Sequence, residues 1–423
     1  MIENLRFLKR QTYLYRKKNF KINNFFSSLL LIPFTLVTIS TILIESIQRH
    51  TNSNDSLNHL ITGFIGYFLA VTISFISLEK VKKLILPFYF LSLIFLILVY
   101  FFGISIYGAQ RWLSLGFISF QPSEVAKLST VLALAAVLEK KLIITFRDLI
   151  LPIGVVFLPW VLIFFQPDLG TSLVLISLLF VMLYWAEMPI EWSLIIIFCV
   201  ITSLLALIYP LLLFPWFALI GYLTYKTFRE KKIYLFLSLF LHVCAAKFAP
   251  LLWQYVLKDY QKDRLKLFLN PGSDPLGGGY HLLQSKIAIG SGGVFGTGLL
   301  KGKLTNLQFI PEQHTDFIFS ALGEEAGFLG CCIVCLLFFL LIIRLIKISQ
   351  NSRTDFESLI VIGITSVFLF QIIINIYMTI GLGPVTGIPL PFMSYGRTSL
   401  LINFIFMGLV LSVYKRCRSL KKT

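Results

Sequence analysis

The stretch AGFLGCCIVCLLFFLLII, residues 326–343, contains no charged residue over 18 consecutive positions. A helix of roughly 20 such residues is long enough to cross the hydrocarbon core of a bilayer, which is about 30 Å thick. Over the whole chain of 423 residues, 57% are hydrophobic and 13% are charged, whereas a typical soluble domain has about 25% charged residues. The sequence therefore predicts a membrane protein.

Further apolar segments predict an all-α polytopic membrane protein with about twelve transmembrane helices. The predicted segments are residues 26–45, 60–78, 84–103, 122–139, 149–165, 170–187, 191–209, 211–225, 233–251, 317–343, 357–381 and 397–414. The seventh to ninth are the weakest, because Pro210 and Pro215 could break one long hairpin and residues 211–225 are short for a crossing. The parity of the count holds if two of these segments are lost together.

Lys and Arg residues predict the orientation of the chain. Alternate connections carry EKVKK (79–83), EKKLIITFRD (139–148), KTFREKK (226–232) and RLIKISQNSR (344–353), and both ends of the chain are basic. Connections rich in Lys and Arg remain in the cytoplasm, so both termini, including the basic segment 1–25, are predicted to be cytoplasmic. The formal charge of +17 is attributed to this topology and not to nucleic-acid binding. No cleavage site follows the basic start, which predicts a retained first span.

A large outward loop, residues 252–316, contains an unusual number of glycines and lysines. Within it, YHLLQSKIAI (280–289) has the periodicity of a short helix at the membrane interface. Glycine allows backbone N–H groups to approach an anion, and Lys286, Lys301 and Lys303 add positive charge, so a phosphate-bearing ligand would fit. The alternative is a flexible loop with solvated lysines, because glycine-rich runs are a weak signal.

Charged residues near the outer ends of two spans are further candidates. Glu124 and Lys127 lie three residues apart, on one face of the fourth predicted helix. A lone charge at this depth costs roughly 2.5–3.5 kcal/mol, so the two are expected to pair and to face the bundle interior. Such a pair could be functional or could only fix helix packing. Arg111, beside Trp112, could likewise be functional or an interfacial anchor.

Asp316 lies at the mouth of the apolar helix that contains residues 326–343. A carboxylate there could simply cap the helix, since acids are favoured at helix N-termini by about 0.3–1 kcal/mol. His314, Glu312, Glu324 and Glu325 crowd the same segment, which favours a functional site. A metal site at His314 is not expected, because no second His or Cys stands at ligand spacing, and the six cysteines show no disulfide or zinc pattern.

Five motifs occur in an order that strongly resembles the SEDS family of bacterial cell-wall synthases. They are GAQRWLSLGFISFQPSEVAKL (108–128), QPDLGTSLV (166–174), NPGSDPLGGGYHLLQSKIAIGSGG (270–293), FIPEQHTDFIFSALGEEAGFLG (309–330) and GLGPVTGIPLPFMSYG (381–396). The resemblance covers nearly the whole chain from the second span on. Within the family, the third motif resembles the RodA (elongation) branch more than the FtsW (division) branch.

The resemblance implies a single SEDS membrane domain over residues 1–423. It implies a glycosyltransferase of the bacterial cytoplasmic membrane that polymerises lipid II, an undecaprenyl-pyrophosphate disaccharide-pentapeptide, into glycan strands at the outer face. The family's essential acid in HTDF matches Asp316, and its other charged motif residues match Glu124, Lys127 and Lys286. We expect Asp316 to act as the base. Lys286, Arg111 and Lys301 are expected to bind pyrophosphate, and the further expected substrate contacts are Glu124, Lys127, Gln284 and His314.

Two features depart from the family pattern. Family members have about ten spans, so residues 210–250 are interpreted as an inserted helix pair, and Arg397 follows SYG where the family has small residues. The resemblance also implies a class B penicillin-binding protein, a transpeptidase, as partner. No cofactor is evident, although a divalent cation such as Mg²⁺ is possible. Two other functions stay open, a lipid II flippase or transporter and a non-catalytic scaffold for a transpeptidase.

Overall fold

The computed structural model describes residues 25–49, 53–106, 109–115, 118–141, 143, 145–227, 231–269, 279–307 and 309–419. The predicted cytoplasmic segment 1–25 therefore lies outside the described residues except for Phe25. Part of the glycine-rich motif, residues 270–278, also lies outside them.

Fifteen α-helices and three short strands make up the described part of the chain. The first half contains α1 (Phe25–Ile47), α2 (Asp55–Ile73), α3 (Leu78–Phe102), β1 (Ile104–Ile106), β2 (Ala109–Leu115), β3 (Ile118–Phe120), α4 (Pro122–Lys140), α5 (Phe146–Phe165), α6 (Leu169–Trp185) and α7 (Ile190–Ile208). The second half contains a 3₁₀ turn (Pro210–Leu212), α8 (Leu213–Thr227), α9 (Lys231–Leu251), a π-helical turn (Leu252–Val256), α10 (Asp259–Leu269), α11 (Tyr280–Gly292), α12 (Lys303–Asn306), α13 (Ile318–Gln350), α14 (Asp355–Thr379) and α15 (Arg397–Ser419).

The predicted fold class is confirmed, since each of the twelve predicted segments coincides with one long helix. Within the described residues, nine helices are long and apolar enough to cross a membrane by length and composition. The other three are α4, which carries Glu124 and Lys127, and the shorter α6 and α8, with 17 and 15 residues. The number of spans, and the assignment of residues 210–250 as an insertion, remain predictions.

The connection between α3 and α4 contains a small antiparallel sheet that the sequence analysis did not include. Strand β2 pairs with β1 on one side and with β3 on the other. Helix α4 begins directly after β3, with Pro122 in its first turn. The sheet therefore places Arg111, in the middle of β2, beside the start of α4 and its neighbours.

The last two helices are the most deeply buried of the candidate spans in the described residues. In the most apolar windows of α14 and α15, 72% and 78% of the residues are buried. Helix α14 packs against α13, α6 and α4, and α15 packs along α2. Helices α7, α8 and α9 pack mainly against one another at the periphery, and 22% and 17% of the corresponding windows of α7 and of the segment containing α9 are buried.

Ion pairs bring the basic connections to one end of the bundle. Lys82 pairs with Glu139, and Arg416 pairs with Glu357 at 3.2 Å and with Glu79 at 3.4 Å. These residues belong to the first turns of α3 and α14 and the last turns of α4 and α15. Because the helices run antiparallel, the starts of α4, α6 and α13 lie at the other end, where Asp316 precedes α13.

Candidate active site

The turn that carries Asp316, residues 311–317, is held against the most buried part of the protein. The backbone N–H groups of Thr315 and Asp316 donate to the carbonyl of Glu312 at 3.2 and 3.1 Å. The side-chain amide of Asn375, on α14, donates to the carbonyl of Asp316 at 2.9 Å and to that of Ile388 at 2.8 Å. These contacts fix the backbone of Asp316 relative to α14.

The carboxyl group of Asp316 does not cap the helix that follows. Phe317 is the N-cap residue of α13, and no side-chain hydrogen bond caps that end. The capping interpretation is therefore wrong for the folded chain. Instead of capping α13, the half-buried carboxyl group lies where four charged side chains act on it.

Those four charges come from four separate parts of the sequence: Arg264 on α10, Glu312 in the turn, Arg111 on β2 and Asp168 before α6. Burial raises the pKa of Asp316 to about 6, and it outweighs the two arginines, which lower that pKa. Glu312 and Asp168 raise it further. A carboxyl group whose pKa lies near neutral pH is suited to accept a proton during catalysis.

Arg111 is fixed to the start of α6. Its guanidinium donates to the carbonyl of Pro167 and lies 3.9 Å from the carboxylate of Asp168. Asp168 is the N-cap of α6, and it accepts hydrogen bonds from the backbone N–H of Thr171 at 3.2 Å and from its hydroxyl at 2.8 Å. These contacts fix the Arg111 side chain at the start of α6, from where its positive charge acts on the Asp316 carboxyl.

Arg264 approaches Asp316 beside Gly387. A methyl group built on Gly387 would lie 3.4 Å from Oδ2 of Asp316 and 3.9 Å from Nη1 of Arg264. The backbone φ of Gly387 is +71°, in the left-handed region that favours glycine. Glycine thus keeps the space beside the carboxylate and the guanidinium open to a ligand.

Helix α11 lies next to the Asp316 turn and carries Lys286. The ring of His281 stacks on Phe317, with centroids 6.2 Å apart, and the hydroxyl of Ser285 donates to the carbonyl of Thr379 at 2.7 Å. Lys286 is exposed, and its carbon chain lies so close to Gly381 that a methyl group there would overlap it. The helix predicted for this stretch is confirmed, and Gln284 is half-buried on it.

The glycine-rich loop between α11 and α12, residues 293–302, is packed against α13. The backbone N–H groups of Thr297 and Gly298 donate to the carbonyls of Glu324 and Glu325 at 2.9 and 3.1 Å. This close approach coincides with a kink in α13 at Gly327, where φ is +65°. The N–H groups of Thr297 and Gly298 are therefore already bonded to the helix, while the glycines of residues 270–278 lie outside the described residues, so the predicted anion site stays a prediction.

Glu324 and Glu325 hold the same loop through their side chains. Glu324 accepts hydrogen bonds from the backbone N–H groups of Leu304 and Thr305 at 2.8 and 2.9 Å, and Glu325 accepts from the N–H of Leu300 at 3.1 Å. Both acids are buried. Their role is to position the loop, whereas Lys301 stays exposed on it, with its carbon chain near Gly298.

Glu124 and Lys127 form a buried ion pair in α4, with an N–O distance of 2.8 Å and side-chain exposures of 3% and 1%. The prediction that they pair and face the interior is confirmed. Among the described residues, Oε2 of Glu124 has no hydrogen-bond partner. The pair is not among the charges that shift the pKa of Asp316.

His314 contacts Tyr395, with ring centroids 5.6 Å apart. Within the described residues, no group of three or more His, Cys, Asp or Glu side chains could hold a metal ion. The site therefore consists of one half-buried carboxyl group with two arginines and two acids around it. Sequence reasoning selected Asp316, Arg111 and Lys286 but missed Arg264 and Asp168, which the fold brings to the same place.

Several known proteins resemble this chain. A family model described as "Cell cycle protein" (FtsW, RodA, SpoVE) matches residues 22–240 and 231–419. "Peptidoglycan glycosyltransferase MrdB" of Escherichia coli (strain K12) is 36% identical over 79% of this chain and 79% of its own length. "Peptidoglycan glycosyltransferase RodA" of Treponema pallidum (strain Nichols) is 33% identical over 93% of this chain and 98% of its own length.

Solved structures share the fold. A chain from the study "Structural coordination of polymerization and crosslinking by a peptidoglycan synthase complex" has a TM-score of 0.70 and 27% identity, covering 92% of this chain and 97% of its own length. The Thermus thermophilus rod shape determining protein RodA has a TM-score of 0.61 and 26% identity, covering 94% of this chain and 98% of its own length.

The fold and the site together define a polytopic helical membrane protein with a charged site at one end of its bundle. The similarities are specific enough to name its family. The chain belongs to the SEDS family, the FtsW/RodA/SpoVE group of cell cycle proteins, and a RodA-like position within that family fits the comparisons.

Proposed function

We propose that this chain is a peptidoglycan glycosyltransferase of cell elongation, which polymerises lipid II with Asp316 as its general base. The observation that carries the proposal is the environment of Asp316. Its carboxyl group has a pKa raised to about 6, and the charges of Arg264 and Arg111 act on it. A base and nearby cations are the two requirements for joining a sugar hydroxyl to a donor that carries a pyrophosphate.

The reaction follows from the roles of these groups. The hydroxyl oxygen of the acceptor sugar attacks the anomeric carbon of the donor, and its proton passes to the carboxylate of Asp316. The bond between that carbon and the pyrophosphate oxygen breaks, and lipid pyrophosphate leaves with the electron pair. A single base and a good leaving group favour direct displacement with inversion at the anomeric carbon.

Negative charge accumulates on the pyrophosphate as it leaves. Arg264 and Arg111 act on the Asp316 carboxyl from separate elements, and a guanidinium is suited to bind phosphate oxygens. Lys286, exposed on the adjacent α11, supplies a further cation. We assign these three side chains to the pyrophosphate, with Lys301, Gln284 and His314 as additional substrate contacts.

The test uses purified full-length protein and lipid II in detergent, with glycan length measured by gel electrophoresis. We expect the parent protein to make polymer and Asp316→Asn to make almost none while it still binds lipid II, because general-base catalysis contributes about 10²–10⁴-fold. Asp259→Asn is the matched control, since Asp259 is an exposed acid at the start of α10. Polymer formation by Asp316→Asn within a few-fold of the parent would overturn the assignment.

The same preparation separates polymerisation from other functions. A flippase would move labelled lipid II between the leaflets of a vesicle without making longer glycan. A scaffold would support a transpeptidase even after Asp316 is replaced. Either outcome, with no polymer made by the parent protein, would contradict the proposed activity.

The membrane and its sidedness are also part of the proposal. The basic connections meet at the end of the bundle away from Asp316, and such connections remain cytoplasmic. We propose that both termini are cytoplasmic and that Asp316 faces the outer side of the inner membrane. A reporter fused after Thr423 is expected to be active in the cytoplasm, and one inserted near Gly278 in the periplasm. A cytoplasmic signal from the second fusion would contradict this sidedness.

A class B penicillin-binding protein is the proposed partner. A relative in fold comes from a complex described as coordinating polymerisation and crosslinking. Polymerisation by this chain is expected to rise when the transpeptidase of its host is added. Equal rates with and without every such transpeptidase would contradict the partnership.

A further inference from the structure

Tyr395 lies directly before α15 and contacts the Asp316 turn in two ways. Its backbone N–H donates to the carbonyl of His314 at 2.9 Å. Its ring also faces the ring of His314, with centroids 5.6 Å apart and planes inclined by 49°. Because His314 is two residues before Asp316, any movement of Tyr395 is passed directly to the turn that carries the carboxyl group.

The phenol group of Tyr395 is itself fixed by two charged side chains. Its hydroxyl donates to Oδ1 of Asp55 at 2.8 Å, and the positively charged side chain of Arg397 also acts on the phenol. The other carboxylate oxygen of Asp55 accepts from the side-chain amide of Gln48 at 2.8 Å. Burial and the Asp55 carboxylate raise the pKa of Tyr395 above its ordinary value, so the phenol keeps its proton and donates at neutral pH.

Asp55 is anchored on a rigid part of the bundle. It is the first residue of α2, and α2 packs closely along α15. A methyl group on Gly66 would clash with the ring of Phe404, and one on Gly408 would lie 3.0 Å from Cα of Ala70. This close packing fixes α2 and α15 relative to one another. Asp55 begins α2 and Tyr395 lies just before α15, so the packing also fixes the positions of these two residues.

We propose that Tyr395 is a positioning residue for Asp316, which ties the Asp316 turn to the packed pair α2 and α15 through Asp55. The turn is then held from two sides, by Asn375 on α14 and by Tyr395 before α15. This role rests on the proposed function of Asp316 as the base. It also gives Arg397 a role, since its positive charge acts on the phenol that donates to Asp55.

Removal of the phenol hydroxyl releases the ring from Asp55 and Arg397 but leaves the cationic side chains near Asp316 in place. A misplacement of a catalytic group by about 1 Å can lower a rate by about 10²-fold. The three side chains assigned to the pyrophosphate lie on β2, α10 and α11, so His314 is the one assigned substrate contact that Tyr395 is described as touching. The expected signature is therefore a lower kcat with an unchanged KM for lipid II.

The experiment measures polymerisation against lipid II concentration for Tyr395→Phe in the full-length protein. We expect kcat to fall by about 10–100-fold, with KM within about twofold. Tyr377→Phe is the matched control, because Tyr377 lies on α14 with 49% of its surface exposed, and its kinetics should match those of the parent. Asp55→Asn retains an oxygen that can accept from Tyr395, so it should lower kcat less than Asp55→Ala does.

A double variant connects the effect to Asp316. If Tyr395 acts through the base, Asp316→Asn with Tyr395→Phe should be no slower than Asp316→Asn alone. An unchanged kcat in Tyr395→Phe, a change in KM alone, or a further loss in the double variant would overturn the positioning role. The proposed function fails separately, if Asp316→Asn itself polymerises lipid II at the rate of the parent.

Discussion

We expect Asp316→Asn to stabilise the folded protein at neutral pH while it removes polymerisation. Burial raises the pKa of Asp316 from 3.8 to about 6 in the folded protein, so the fold favours the neutral carboxyl over the carboxylate. At about 1.4 kcal/mol for each pKa unit, this difference corresponds to about 3 kcal/mol. Asparagine resembles the neutral carboxyl and avoids that cost.

The sign of the pH dependence follows from proton binding. The folded state binds the Asp316 proton more tightly than the unfolded chain does, so the free energy of unfolding decreases as pH rises from about 4 to about 6. It stays at the lower level above that range. Asp316→Asn should therefore have no effect on stability near pH 4 and the full effect at pH 7.5.

The assay is thermal unfolding in detergent at pH values between 4 and 8, followed by intrinsic fluorescence. The Tm of Asp316→Asn should exceed that of the parent by a few degrees at pH 7.5, and the difference should vanish near pH 4. Asp259→Asn, at an exposed acid, should leave Tm unchanged. A lower Tm for Asp316→Asn at pH 7.5 would refute the conclusion that burial dominates the environment of this carboxyl group.

Two other substitutions test the supports of the site. Gly381→Ala places a methyl group where the carbon chain of Lys286 lies, so the lysine must move. Because a displacement of about 1 Å can lower a rate by about 10²-fold, we expect the polymerisation rate to fall at least tenfold. Gly293→Ala is the control, because Gly293 also has a positive φ (+54°) but a methyl group there meets nothing within 4 Å; equal rates for the two would contradict the placement of Lys286. Glu124→Ala leaves the buried Lys127 without its ion-pair partner and should lower the free energy of unfolding by about 3–5 kcal/mol. Replacing both residues with Met removes both charges and should restore stability in a thermal assay. Equal Tm values for the parent and Glu124→Ala would contradict a structural role for the pair.

The positions of the long helices could be predicted because hydropathy is a local property of the sequence. Residues 317–343, for example, were predicted as a span, and α13 is observed over Ile318–Gln350. The sheet between α3 and α4 was missed although a signal existed. Glycine-containing pairs at residues 107–108 and 116–117 separate short runs of β-favouring residues, which is typical of hairpins.

The charged residues around Asp316 were predicted only in part. Asp168 stands three residues before Thr171 at the start of an apolar run, which is a helix N-cap pattern that could have been recognised. Arg264 lies in a helix with many charged residues, and no local pattern distinguishes it from a solvated side chain. Its electrostatic effect on Asp316 joins residues about fifty positions apart in the sequence and exists only in the folded chain.

Local sequence also could not decide between a cap and a site at Asp316. Both interpretations place an acid directly before an apolar helix, and they differ only in where the side chain lies. The observed N-cap is Phe317, without a side-chain cap bond. The sequence of the glycine-rich loop also could not distinguish packing against a helix from binding of an anion, because both favour glycine.

The dependence of the polymerisation rate on pH tests the central claim most directly. If Asp316, with a pKa of about 6, removes the proton from the acceptor hydroxyl, kcat for lipid II polymerisation should be constant above pH 7. Below pH 6 it should fall about tenfold for each pH unit, because only the carboxylate can act as the base. Asp316→Asn should leave a small residual rate without this fall. A parent rate that stays constant down to pH 4.5, or an Asp316→Asn protein with the same profile as the parent, would contradict the role of Asp316 as the base.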